Sequence, residues 1–150
     1  MSYESERMTR KTRIDPMLQD SGWVIEPYDP AIPIGKHGKH AIEEFPTDHG
    51  PADYALVVGG QLIGVIEAKR LSLGPAGVLS QAERYSKGLP DTGQNWRGCR
   101  APFCYSTNGE IIYFHDVRDP LAISRRIAKF QRHLPCTNYC RGILKPEANG

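Results

Sequence analysis

Apolar residues in this chain gather into a few dense runs separated by polar stretches rich in Gly and Pro. The densest pair is Tyr54–Val58 and Leu62–Ile66, on either side of Gly59-Gly60-Gln61. Nearly continuous apolar character marks strands covered on two faces, and paired glycines supply the positive φ angles of a tight turn. A buried hairpin is therefore expected over Asp53–Lys69. A second pair, Phe103–Ser106 and Ile111–Phe114, surrounds Asn108-Gly109, a strong hairpin signal. Residues Ser5–Gln19 read as helical with Gly22 as the stop, and Asp15-Pro16 inside them implies a kink or two short helices. Another helix is expected from about Val78 to Lys87, before Gly88 and Pro90. A last one is expected to open at Asp119-Pro120, because Ile123, Ile127, Phe130 and Leu134 recur at helical spacing. The stretch Glu26–Gly50 reads mostly as loop, with Ile32 and Ile34 as candidates for a short strand and Phe45 for the end of another. The order of helix, strands, helix, strands, helix predicts a layered α/β domain.

With 150 residues, 39% hydrophobic and 24% charged, the chain fits one soluble domain. A formal net charge of +2 gives no bulk case for nucleic-acid binding, so any such case rests on local groups. Lys36, Lys39, Lys69, Arg70, Arg84 and Lys87 are candidates for a patch, although scattered surface cations read the same way. No apolar run approaches the roughly 20 residues that span a bilayer, and the N-terminal segment is polar. A cytoplasmic location and no membrane partner are expected. Cys99, Cys104, Cys136 and Cys140 are then expected as free thiols. His133, Cys136 and Cys140 make half a zinc site, but Cys99 and Cys104 are spaced wrongly for the other half.

The chemistry concentrates at the first hairpin. Asp53 lies seven residues before Gly60 and Glu67 seven after it, so antiparallel pairing sets the two carboxylates side by side. Strand alternation puts Glu67 and Lys69 on one face with Ala68 pointing away. Two carboxylates suit Mg²⁺, which takes oxygen ligands and can polarise a phosphate and activate a water. Lys69 is placed to hold or deprotonate that water or to offset charge developing on the phosphate, and the small Ala68 leaves its carbonyl free to approach the ion. Gln81 and Tyr85 share one face of the following helix at i, i+4 spacing. Each of these features alone also suits ordinary solvated strand ends or helix surface.

Taken in order, Pro51-Ala-Asp-Tyr-Ala-Leu56, Gly64-Val-Ile-Glu-Ala-Lys-Arg70, Gln81-Ala-Glu-Arg-Tyr85 and Tyr105-Ser-Thr-Asn-Gly109 resemble the N-terminal nuclease domain of the R subunit of type I restriction enzymes, within the PD-(D/E)xK nuclease superfamily. Ser5–Arg10, Ile14–Pro16 and Gly22-Trp23 resemble its opening helix, so the likeness runs from Ser5 to about Val117. It implies a restriction-endonuclease-like mixed four-stranded sheet flanked by helices. It also implies a Mg²⁺-dependent endonuclease acting on double-stranded DNA, with Asp53, Glu67 and Lys69 as the catalytic triad. Asp53, Glu67, Ala68 and Glu6 would serve the metal, and Gln81 and Tyr85 would position DNA or support cleavage. Modification and specificity subunits would be the partners.

Ala52 rather than Pro precedes Asp53, with Pro51 one step earlier. No phosphate-binding GxxxxGK[ST] motif is present, so ATP is expected only for a motor region outside this chain. Residues 1–140 read as the nuclease domain and 141–150 as a linker or tail. Without the motor, little cleavage is expected from the chain alone. The alternative is a catalytically silent DNA-binding or assembly module of the same fold. A zinc-stabilised interaction domain built on the C-terminal cysteines is a weaker third reading.

Overall fold

A computed structural model describes residues 4–69 and 79–131. The N-terminal segment is one irregular helical run: α1 (Glu6–Thr9), a π-helical turn (Arg10–Ile14) and α2 (Asp15–Asp20). Ser5 caps it, its Oγ accepting from Met8 N–H at 3.1 Å. The irregularity has a sequence cause. Pro16 lacks an N–H and its ring crowds the carbonyl four residues back, so the helix takes up an extra residue ahead of it instead of breaking. Asp15 N–H accordingly reaches Arg10 O, five residues back.

The strands are β1 (Val24–Pro27), β2 (Lys39–Phe45), β3 (Ala52–Val58), β4 (Gln61–Ala68), β5 (Phe103–Thr107), β6 (Ile112–Asp116) and β7 (Arg125–Ile127), and α3 (Leu79–Lys87) lies between β4 and β5. They form one mixed sheet in sequential order. The β1–β2 and β4–β5 contacts are parallel, and the other four neighbouring pairs are antiparallel. The sheet is therefore seven-stranded where four strands were expected. The α1–α2 segment covers one face through Ile14 and Leu18, packed with Tyr54, Ile66, Phe103 and Tyr105. On the other face, Tyr85 and Ala82 of α3 meet Val57, Leu62, Val65 and Cys104.

The first hairpin forms as expected, with Gly59 and Gly60 both at positive φ (55° and 78°). Two further expectations differ from the structure. Phe45 does end a strand, as expected, but that strand, β2, is a full internal one where mostly loop was expected, while Ile34 starts a 3₁₀ turn (Ile34–Lys36) and Ile32 is exposed. The polar letters of Lys39-His-Ala-Ile-Glu-Glu-Phe45 hide it, yet pairing on both sides with β1 and β3 satisfies its backbone and buries Ala41, Ile42 and Phe45. The helix expected from Asp119 is absent. Asp119 instead closes a turn, accepting from Leu121 N–H through Oδ1 and from Ala122 N–H through its carbonyl. Residues 125–127 then pair with the open edge of β6. Ile127 and Phe130 do reach the core, but Ile123 is 83% exposed, so the helical spacing was coincidental. Leu134, His133, Cys136, Cys140 and the tail 141–150 lie outside the described residues. Cys99 and Cys104 are buried free thiols, as expected. Among the described residues no helix is long and apolar enough to cross a membrane.

Candidate active site

At the end of the sheet where β3 begins and β4 finishes, a cleft of about 710 Å³ opens between the N-terminal helical segment and α3. Glu6, Asp53, Glu67, Lys69, Gln81 and Tyr85 all line it, so side chains spread over 80 positions of sequence converge there. Tyr54 pairs with Ile66, which sets Asp53 opposite Glu67. Ala68 N–H donates to Asp53 Oδ2 at 2.7 Å, locking that carboxylate across the hairpin. Among the described residues, Asp53 Oδ1 meets Arg10 Nη1 at a long 3.4 Å and otherwise faces the cleft. The Ala68 side chain is buried on the opposite face, as alternation requires. Lys69 Nζ stands 3.4 Å from Glu67 Oε1, and its backbone N–H is fixed on Thr107 O at 2.8 Å. On α3, Gln81 Nε2 donates to Tyr85 Oη at 3.4 Å, the contact their spacing implied.

Electrostatically the pair is under-compensated. Burial pushes the Asp53 carboxyl up to about 6, with the Ala68 N–H and Arg10 opposing. Burial, joined by the neighbouring Asp53 charge, raises Glu67 to about 8 despite Lys69. Two buried carboxylates beside one another resist ionising together, so they hold either a proton or a cation between them. Their oxygen donors fit a hard divalent ion such as Mg²⁺, which requires only one or two protein carboxylates. Glu6 lines the cleft without closing a tight three-ligand group with them: among the described residues, the set of three that converges within 4.8 Å lies elsewhere.

Arg10, Lys11, Glu43 and Glu44 also line the cleft, with no interpretable signal for them in the sequence. Arg10, buried at the π turn, donates to Glu44 and stacks over Tyr54 with Cζ 5.1 Å from the ring centroid. Lys11 bridges Asp15 and Glu43, and Tyr54 Oη donates to Asp15. Glu43 and Glu44 are consecutive strand residues that ordinarily face opposite ways. Glu44 takes φ = 54°, one of two non-glycine positive φ values among the described residues, and both acids line the cleft. An adjacent Glu pair in a polar stretch gives no warning of this. Lys39 lies apart, over the Trp23 ring with Nζ on Ser21 O, so it adds nothing to a basic patch at the cleft.

A mixed α/β sheet thus carries a buried acidic pair and a lysine together at one end of its central hairpin. A family model described as the second domain of the type I restriction enzyme EcoKI endonuclease subunit matches residues 28–135. The chain belongs to this family and corresponds to the N-terminal part of a type I restriction R subunit. The EcoKI endonuclease subunit of Escherichia coli (strain K12) is 28% identical, over 79% of this chain and 14% of that relative. A fragment structure described as an HsdR subunit of a type I restriction enzyme from Vibrio vulnificus YJ016 shares the fold. Its TM-score is 0.66 at 19% identity, over 98% of this chain and 27% of that one.

Proposed function

We propose that this chain is the DNA-cleaving region of a type I restriction R subunit, a Mg²⁺-dependent endonuclease hydrolysing phosphodiester bonds. The convergence of Asp53, Glu67 and Lys69 in a cleft flanked by Gln81 and Tyr85 carries this reading. Asp53 Oδ1 and Glu67 would hold the ion, with the Ala68 carbonyl and Glu6 as further oxygen donors at the rim. When bound, Mg²⁺ supplies Lewis-acid polarisation of the phosphate and stabilises the leaving oxygen. Lys69, oriented by Glu67, would position the attacking water and offset the charge that builds on the phosphoryl oxygens. Gln81 and Tyr85 would contact the DNA backbone from α3, and Arg7 and Lys11 add positive charge to the opposite wall. Strands β2–β5, with two antiparallel contacts and one parallel, would correspond to the mixed four-stranded sheet expected of such nucleases, with β1, β6 and β7 as additions. Double-stranded DNA is the substrate. The modification and specificity subunits are the partners, and ATP serves a motor region beyond this chain.

The test pairs binding with cleavage. Titration of Mg²⁺ into the chain should show saturable binding that is lost in D53N. In the complete restriction complex, K69A should lower DNA cleavage at least about 100-fold, the usual cost of one transition-state contact, while ATP-driven translocation persists. Full cleavage by both D53N and K69A would overturn the assignment.

A further inference from the structure

The far end of β2 from the cleft carries a second group with different chemistry. Glu26 on β1, His37 in the 28–38 crossover and His40 on β2 each bring one ligand-type atom to within 4.8 Å of the others. Glu26 Oε1 lies 2.6 Å from His37 Nδ1 and 3.8 Å from His40 Nδ1. The two imidazoles meet nearly edge to face, centroids 5.2 Å apart. His37 is 8% exposed, while Glu26 and His40 reach solvent, so an ion here would have one open side.

Each member stands on fixed backbone. Glu26 and His40 belong to paired strands. His37 is held by the hairpin tip: Gly60 N–H donates to His37 O and Gly59 N–H to Gly38 O, both at 2.9 Å. Gly60 lies so close to Gly35 that a Cβ there would sit 3.0 Å from Gly35 Cα. Gly38 N–H in turn donates to His40 Nδ1 at 3.0 Å, orienting that ring. Two imidazoles and one carboxylate form a borderline donor set that favours zinc-class ions over Mg²⁺.

We propose that Glu26, His37 and His40 bind one zinc-class divalent cation, which clamps the edge strand β1 and the 28–38 crossover to the β3–β4 hairpin tip. In the metal-free form Glu26 Oε1 holds His37 Nδ1 at 2.6 Å while His40 Nδ1 accepts from Gly38 N–H, and the cation would replace these contacts, with water at its open position. Besides the 3₁₀ turn, the crossover has no regular structure of its own to brace it, so a three-ligand clamp stabilises it by mass action.

The experiment uses the full chain carrying D53N and E67Q to silence the cleft, and C136S and C140S to remove competing thiols. After treatment with chelator, Zn²⁺ is titrated calorimetrically and thermal unfolding is followed with and without it. One equivalent should bind and raise Tm, while Mg²⁺ at the same concentration does neither. Co²⁺ in its place should give visible absorption of a nitrogen- and oxygen-ligated site. H37A and H40A should each weaken Zn²⁺ binding at least tenfold. His40 is partly exposed, so H40A should keep the metal-free circular dichroism of its parent and read the site even where H37A does not fold. No Zn²⁺ uptake, or equal affinity in the parent and H40A, would overturn the proposal; neither result bears on the acidic cleft.

Discussion

At one end of β2, Glu43 and Glu44 turn into a cleft where, among the described residues, carboxylates outnumber cations; at the other end, His40 meets His37 and Glu26 in a compact, hydrogen-bonded corner. The cleft carries the local costs. A π turn displaces Arg10, Glu44 adopts positive φ, and both Asp53 and Glu67 resist ionisation. The corner has ordinary backbone geometry at its ligands and a partner for each ligand side chain. Strain and unbalanced charge thus collect where anion chemistry is proposed, and a well-satisfied donor set lies where a structural ion is proposed. One strand can serve both because its ends face different surroundings.

Removing Arg10 should widen this contrast most. Its guanidinium is the buried cation that faces Asp53 and Glu44, with side-chain exposures of 11% for Arg10 and 12% for Asp53. R10M should therefore destabilise the metal-free chain by on the order of 2–3 kcal/mol, less than a fully buried pair because Glu44 is half exposed and the cleft is open. Mg²⁺ should bind R10M more tightly than the parent, since a competing positive charge is gone, and Zn²⁺ affinity at the corner should not change. Urea unfolding and calorimetry on the same samples read all three quantities. Unchanged stability would show that Arg10 is not the counter-ion of the cleft.

How far each region could be read from the chain follows from the same physics. The hairpin was legible because its apolar runs, its two glycines and the symmetric placement of Asp53 and Glu67 are local signals. Gln81 and Tyr85 were legible through helical spacing. Arg10 and Glu44 were not: one depends on how the helix accommodates Pro16, and the other on a single residue leaving β geometry. Of strand β2 only its end at Phe45 was legible, because pairing on both sides, a non-local property, outweighs the polar composition of the rest. The failed helix after Asp119 reverses that case. Good periodicity at Ile123, Ile127 and Phe130 lost to the open edge of β6, which offered backbone partners to residues 125–127.

Acidity should separate the two ends next. Glu67 rises from 4.5 to about 8 on folding and Asp53 from 3.8 to about 6, both chiefly through burial. The native state then keeps protons that the unfolded chain releases, so stability is greatest below the unfolded values. It should fall as pH climbs from about 4 to about 8. Thermal unfolding without metal should show Tm declining across that window. Millimolar Mg²⁺ should flatten the decline by replacing the protons, and E67Q should remove most of it. A Tm profile identical in E67Q and the parent would show that Glu67 is not the group responsible.

The smallest expected effect probes the hairpin tip. Gly59 and Gly60 both have positive φ, so alanine at either position carries a strain of about 1 kcal/mol. Their surroundings differ. A Cβ at Gly59 would meet nothing within 4 Å, whereas at Gly60 it would press on the Gly35 backbone at 3.0 Å. G59A therefore measures the backbone strain alone. G60A adds displacement of the 34–38 segment, whose His37 carbonyl accepts the Gly60 N–H. Both variants should lower stability, G60A more, and G60A alone should weaken Zn²⁺ binding several-fold. Mg²⁺ binding should be the same in both, because Asp53 and Glu67 lie at the other end of the hairpin. If G59A and G60A weakened Zn²⁺ equally, the close Gly35–Gly60 approach would have no part in positioning His37.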